Sequence, residues 1–266
     1  MWGYVAILPM IAALDWVGML LGMLLWWVCN GAPILPAMHE DPNAHPGAQR
    51  QTIAYISDIG ATELKPLFIS MSSVMAVTLN LSFLAERWLR HNGKLAPNTS
   101  RVQKALSITS IFFAMAGGAG IILLSIFDTY HHPTLHDVFL GVFIIGYVIS
   151  AICLCAEYQR LGIHYRHHRI LAISFWIKLF FILIEIALAI CFISFSAKYM
   201  YNEAAVFEWI VSFVFTLYAL SFVLDLLPAV QTSRHVPQGV KEREGQLEAQ
   251  MQDRPSRISR FVSFTR

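Results

Sequence analysis

The sequence predicts an all-α fold, a polytopic membrane protein built as a bundle of six transmembrane helices, and three observations carry that prediction. Hydrophobic residues make up 56% of the 266 and charged residues 14%, with a mean hydropathy of +0.56, a balance outside the range of soluble domains. Six stretches hold close to the roughly 20 mostly apolar residues that cross about 30 Å of hydrocarbon. None of the six alternates with period two, which argues against a barrel.

In chain order, the first span is expected over Tyr4 to Cys29. The stretch is too long for a signal peptide and lacks both a basic leading region and a small-residue cleavage site, so it is expected to stay as a helix. A long polar loop, Asn30 to Lys65, leads to the second span, Pro66 to Leu84. A basic loop, Ala85 to Lys104, leads to the third, Ala105 to Phe127. There Ala116, Gly117, Gly118, Ala119 and Gly120 offer an almost side-chain-free surface on which another backbone can lie closely, and Gly141 and Gly146 offer the same on the fourth. A His-rich loop, Asp128 to Asp137, precedes the fourth span, Val138 to Ala156. A second basic loop, Glu157 to Arg169, precedes the fifth, Ile170 to Phe195, and a short loop, Ser196 to Val206, the sixth, Phe207 to Leu227. From Pro228 the chain turns polar, so residues 1–228 are expected to be one membrane domain and 229–266 a disordered basic tail. No internal repeat and no second domain is visible.

Charge placement sets the expected orientation. Of 19 Lys and Arg residues, fifteen lie in the two basic loops and the tail; Arg50, Lys65 and Lys198 lie on the other side, and Lys178 inside a span. By the positive-inside rule the tail and the N-terminus face the cytoplasm. Asn98, Thr99 and Ser100 form a glycosylation sequon that this orientation keeps out of reach of the glycosylation machinery. A net charge of +2 gives no footprint for nucleic acid. The four cysteines, Cys29, Cys153, Cys155 and Cys191, have neither disulfide-framework nor metal-knuckle spacing.

Three groups of residues bear chemistry. On the outer side, Ser57, Asp58, Asp128, His131, His132, His136, Asp137 and Glu208 all fall at loop–span borders. One reading is structural: Asp58 or Asp137 accepts from helix-start amides, and Asp128 pairs with a histidine across a tight turn. Recognition of a lipid headgroup is compatible with it. A third reading is a divalent metal activating water for lipid hydrolysis; His132 and His136 have the spacing of a helical pair, provided the fourth span starts at Pro133. No metal and no cofactor is expected. Within the spans, Asp15, Lys178 and Glu185 are ionisable residues that hydrocarbon disfavours, at roughly 2.5–3.5 kcal/mol for Asp or Lys at a helix centre. Asp15 is the expected partner of Lys178; Lys178 and Glu185, two turns apart on one helix, do not reach each other. These three form either a register-fixing pair or a polar path. Asp225, Glu157 and Glu86 are expected as interfacial pairs beside the basic loops. In the tail, Arg254, Arg257, Arg260 and Arg266 interleave with Phe261 and Phe264, a composition suited to anionic cytoplasmic lipid.

Three segments together resemble the Frag/DRAM/Sfk family of six-span membrane proteins. They are Tyr55, Ile56, Ser57, Asp58, Ile59 and Gly60; Phe127 and Asp128 with His136 and Asp137; and Ala204 through Trp209 continuing to Phe222, Val223, Leu224, Asp225 and Leu226. With Ile7, Leu8 and Pro9 the resemblance covers about residues 1 to 228 and omits the tail. It is strongest toward the fungal suppressor-of-four-kinase branch, in the Glu208 and Trp209 segment and the long basic tail. That branch implies a non-enzymatic plasma-membrane regulator or scaffold linked to phosphatidylinositol 4-kinase signalling and to lipid asymmetry. Its implied partners are membrane lipids and a lipid-kinase complex at the cytoplasmic face. The autophagy-modulator branch implies endosomal, lysosomal or vacuolar membranes instead, and relatives that remodel glycosylphosphatidylinositol anchors imply a lipid-processing enzyme with an outer-face site. A flippase-like path through Asp15, Lys178 and Glu185 is a further alternative. The chain has no Walker loop, no GxSxG and no HExxH.

Overall fold

The computed structural model describes residues 5–39, 48–93, 95, 96, 98, 100–164 and 169–231. The described residues are all-helical and contain no strand: α1 (Ile7–Cys29), α2 (Ile56–Gly60), α3 (Lys65–His91), α4 (Arg101–Ile126), α5 (Pro133–His164), α6 (Arg169–Ala197) and α7 (Tyr201–Gln231). All but the short α2 are long and apolar enough to cross a membrane, which makes the chain an integral multi-pass membrane protein. Neighbours in sequence are neighbours in space: α1 packs on α3, α3 on α4, α4 on α5, α5 on α6 and α6 on α7, and α7 returns to α1. The helices therefore close a ring. One end carries α2, with the α4–α5 and α6–α7 turns; at the other the chain enters α1 and leaves α7. The basic tail, with its arginines and phenylalanines, lies outside the described residues.

The helices outrun the hydropathy spans, because hydropathy marks only the part that crosses hydrocarbon, while the backbone ladder continues into the headgroup layers. Thus α3 extends to His91, α5 begins at Pro133, and α7 passes Pro228 and ends at Gln231. Local chemistry sets several starts. Proline occupies the first turn of α3, where its missing N–H has no cost. Ser100 caps α4, its Oγ accepting from the Val102 amide at 3.2 Å while the Gln103 side chain accepts from the Ser100 amide at 3.0 Å.

The glycines of α4 bring its backbone against α5. A Cβ on Gly146 would sit 2.6 Å from the Gly117 nitrogen, one on Gly120 2.6 Å from the Phe143 nitrogen, and one on Gly117 2.7 Å from the Tyr147 ring. Ser110 and Ser150 hydrogen-bond across the same seam at 3.2 Å. Gly141 has nothing within 4 Å and takes no part. The opposite extreme is α6, whose outward face leaves Trp176, Phe180, Leu183 and Ile190 exposed to the lipid solvent.

Candidate functional site

At the α2 end, the first turns of α7 hold the segment from Arg50 to Ser57 by its own backbone. Asn202 Oδ1 accepts from the amides of Thr52 (2.7 Å) and Ile53 (3.0 Å), and its Nδ2 donates to the Arg50 carbonyl at 3.0 Å. Two turns further along, Glu208 accepts from the Ile56 amide at 2.8 Å and from the Ser57 amide, and Trp209 Nε1 donates to the Ala54 carbonyl at 2.9 Å. Asn202 and Trp209, seven apart, share one face of α7, and Glu208 flanks it about 100° round the helix. Glu208 therefore satisfies first-turn amides of α2 that the helix itself leaves open. His39 stacks on Tyr201 at 4.2 Å and closes the same corner.

The acidic residues of this end are bound into the framework. Asp58 Oδ2 accepts from its own helix's N-cap amide, Tyr55, at 2.9 Å and from Gln51 Nε2 at 2.6 Å, while Gln51 Oε1 accepts from the His39 amide at 2.9 Å. Burial pushes the Asp58 carboxyl above its ordinary value, outweighing the Tyr55 and Gln51 hydrogen bonds that favour the anion. Asp128 pairs with Lys65 at 2.5 Å and accepts from the His131 amide at 2.7 Å and the His131 ring at 2.9 Å. Burial raises its carboxyl too, but here the Lys65 ammonium and the His131 donors win and hold it below the ordinary range. His136 is buried, and its Nδ1 donates toward the Leu124 and Phe127 carbonyls, each at 3.0 Å, at the end of α4. The exposed His132 is one residue before α5, its ring edge-on to Phe127. His131 and Asp137 are exposed as well. Although α5 does start at Pro133, His136 turns inward to carbonyls and His132 outward. Among the described residues no three His, Cys, Asp or Glu side chains are grouped to hold a metal.

Between these frameworks lies a polar vestibule of about 700 Å³, lined by His39, Tyr55, Asp58, Thr129, Asp137 and Tyr199 among others. Beneath it is an apolar cavity of about 110 Å³ among α1, α4, α5, α6 and α7, whose wall includes Trp16, Tyr147, Ile186 and Phe215. The two share Ser57, His136, Leu140, Phe192 and Glu208. Of the outer residues singled out in the sequence, Ser57, Asp58, His136, Asp137 and Glu208 converge on the vestibule, whereas Asp128, His131 and His132 do not line it. Glu185 lines the deep cavity, and its Oε1 is buried without a hydrogen-bond partner.

The intramembrane pairing differs from the sequence expectation. Lys178 does not pair with Asp15: its Nζ binds Asp225 of α7 and Ser174 Oγ (3.2 Å), with the rings of Phe222 and Tyr158 at 4.3 and 5.0 Å. Asp15, on α1, keeps a buried Oδ2 that has no partner. The reason is position: Asp225, Glu86 and Glu157 are buried within the bundle and form a charged core at the end opposite α2. Arg90 donates to Glu86 at 2.7 Å and to the Ala96 carbonyl at 3.0 Å, Tyr158 donates to Glu86 at 2.6 Å, and Asn98 donates to Glu157 at 2.7 Å. The Tyr158 ring centroid lies 5.0 Å from both the Arg90 guanidinium and the Lys178 ammonium. The i, i+4 spacing of Glu86 and Arg90 was the available signal; the other members come from separate helices.

Comparison with known proteins followed the same chain segment. The family profile for the Frag1/DRAM/Sfk1/Cwh43P N-terminal domain matches residues 4–229. Protein SFK1 of Saccharomyces cerevisiae is 30% identical over 186 residues, 60% of this chain and 50% of that protein. Protein sfk1 of Schizosaccharomyces pombe is 30% identical over 230 residues, 86% of this chain and 66% of that protein. The chain thus spans between half and two thirds of the length of these relatives. No solved structure matches it.

Proposed function

The chain belongs to the Frag1/DRAM/Sfk1/Cwh43P family, and from that premise we propose that this Sfk1-like membrane protein is a plasma-membrane regulator or scaffold, not an enzyme, tied to phosphatidylinositol 4-kinase signalling and to the distribution of lipids between leaflets. The observation that carries the reading is the polar vestibule sharing five wall residues with an apolar cavity beneath it, a pairing suited to an amphipathic lipid. Supporting the non-enzymatic part, Asp58, Asp128 and Glu208 each hold backbone amides in place. Carboxylates so engaged are poor candidates for a general base. Under the positive-inside orientation the vestibule faces away from the cytoplasm, and the basic loops and tail meet the anionic leaflet and a lipid-kinase complex. The test is to locate the tagged protein and to measure plasma-membrane phosphatidylinositol 4-phosphate and outer-leaflet aminophospholipid after deletion. The reading expects plasma-membrane signal and a change in both lipids. Unchanged lipids, or a tagged protein confined to lysosomal membranes, would overturn it.

A further inference from the structure

The stripes that line the cavity start together at the vestibule. On α5 they run from His136 to Ala151, on α6 from Phe192 back to Ile182, and on α7 from Glu208 to Tyr218. At a rise of 1.5 Å per residue the α6 and α7 stripes cover about 15 Å and the α5 stripe about 22 Å, of a hydrocarbon thickness of roughly 30 Å. The slot therefore begins at the vestibule and reaches at least about one leaflet deep. Its wall is apolar except at a few points, of which Glu185 is the one placed about 10 Å below Phe192 on the same helix. A carboxyl oxygen there, shielded and without a partner, is left to hydration for its donor, because an alkyl chain offers none.

The vestibule narrows the headgroup. Among the described residues its lining holds three acids, Asp58, Asp137 and Glu208, three tyrosines, Tyr55, Tyr199 and Tyr201, and two histidines, His39 and His136, but no Lys or Arg. Asp58 and Glu208 are spent on backbone amides, His136 on the Leu124 and Phe127 carbonyls and His39 on Tyr201 and Gln51, so a purely anionic headgroup would meet no Lys or Arg among the described residues and would face the exposed Asp137. Tyrosine rings beside a free carboxylate are instead a setting that attracts ammonium groups. Asp137 is exposed and has no hydrogen bond among the described residues, so it is free to meet such a group.

We infer that the vestibule and slot together bind a lipid with an ammonium-bearing headgroup, the headgroup between Asp137 and the tyrosines and one alkyl chain along α5, α6 and α7. The inference rests on the reading of this site as a lipid-recognition site and adds the headgroup class. Two sources share the chemistry: phospholipids of the choline or ethanolamine type, and long-chain amines without phosphate.

The experiment is equilibrium binding to the purified full chain in detergent. The probes share one alkyl chain: a sphingoid base, a choline lysophospholipid, a lysophosphatidate and the free fatty acid. The expected result is saturable binding of at least one ammonium-bearing probe, about tenfold tighter than lysophosphatidate or the fatty acid. Which of the two binds identifies the source. Ala189→Phe, which fills the slot, should weaken that probe about tenfold. Asp137→Asn, an exposed change that leaves the fold alone, should weaken it several-fold and narrow the gap to lysophosphatidate. Equal binding of anionic and ammonium probes, no saturable binding, or binding indifferent to Asp137→Asn would overturn the inference. These outcomes are separable from the regulatory reading, which fails in cells through unchanged lipid levels while binding in detergent stays intact.

Discussion

Removing Asp225 strands a cation. Both side chains of the Lys178–Asp225 pair are fully buried, and breaking one half of such a pair costs about 3–5 kcal/mol, whereas replacing both halves with apolar residues of similar volume is often neutral or stabilising. After Asp225→Leu the ammonium keeps Ser174 and the faces of Phe222 and Tyr158. These remaining contacts place the cost near the lower end, about 3 kcal/mol, or roughly a hundredfold in the folded-to-unfolded ratio. Lys178→Met alone leaves a buried carboxylate and should cost at least as much. The double variant should return to within about 1 kcal/mol of the parent, a coupling of about 5 kcal/mol. Reversible unfolding in mixed micelles, followed by tryptophan fluorescence across the four proteins, measures the cycle. Additive single effects, with the double variant the least stable, would refute the pairing. Asp15→Asn serves as the comparison, and its coupling to Lys178→Met should be close to zero.

The other predictions concern the α2 end and the helix seam. For Asp128, whose carboxyl is held below its ordinary value, the stabilisation is fully present above about pH 4 and lost as pH falls through the lowered value. Lys65 is 33% exposed, so thermal unfolding should show Asp128→Asn costing no more than about 1 kcal/mol at pH 7, a gap that closes only in strong acid. Asp58 has the opposite sign: its raised value makes the fold relatively more stable below about pH 4, with that advantage lost as pH rises through the raised value. Asp58→Asn should therefore be more favourable relative to the parent at pH 7 than at pH 4. Glu208→Ala opens the amides of Ile56 and Ser57, at about 1–3 kcal/mol for each group left unsatisfied. Hydrogen exchange should then accelerate across Arg50 to Gly60, and Glu208→Gln, which keeps one acceptor, should show less; uniform rates would contradict the clamp. Gly146→Ala forces a methyl onto the α4 backbone and should destabilise by about 1–3 kcal/mol, whereas Gly141→Ala, with open space around it, should be neutral or stabilising.

The membrane-spanning part of the fold was legible because hydropathy over some 20 residues is a property of composition, and the bilayer imposes it locally. Close packing at Gly117, Gly120 and Gly146 was legible for a related reason, since only a missing side chain permits it. Gly141 shows the limit: the same residue type five positions away faces open space, and only the rotation of α5 decides which glycine meets α4. The partner of Lys178 was not legible. It depends on which faces of α1 and α7 turn toward α6, and hydropathy does not give the rotation of a helix. Glu208 could be seen as a border residue. That it caps a helix 152 positions earlier in sequence could not, because that contact is set by where the long first loop folds back.

The proposed orientation puts the α2 end, with its vestibule, at the exterior of the plasma membrane. Cys29, exposed at the last residue of α1 on that side, is a native reporter, while Cys153, Cys155 and Cys191 lie inside helices. Intact cells treated with a membrane-impermeant maleimide should label the protein, and Cys29→Ser should abolish the label. Labelling that appears only after the cells are permeabilised would contradict that orientation.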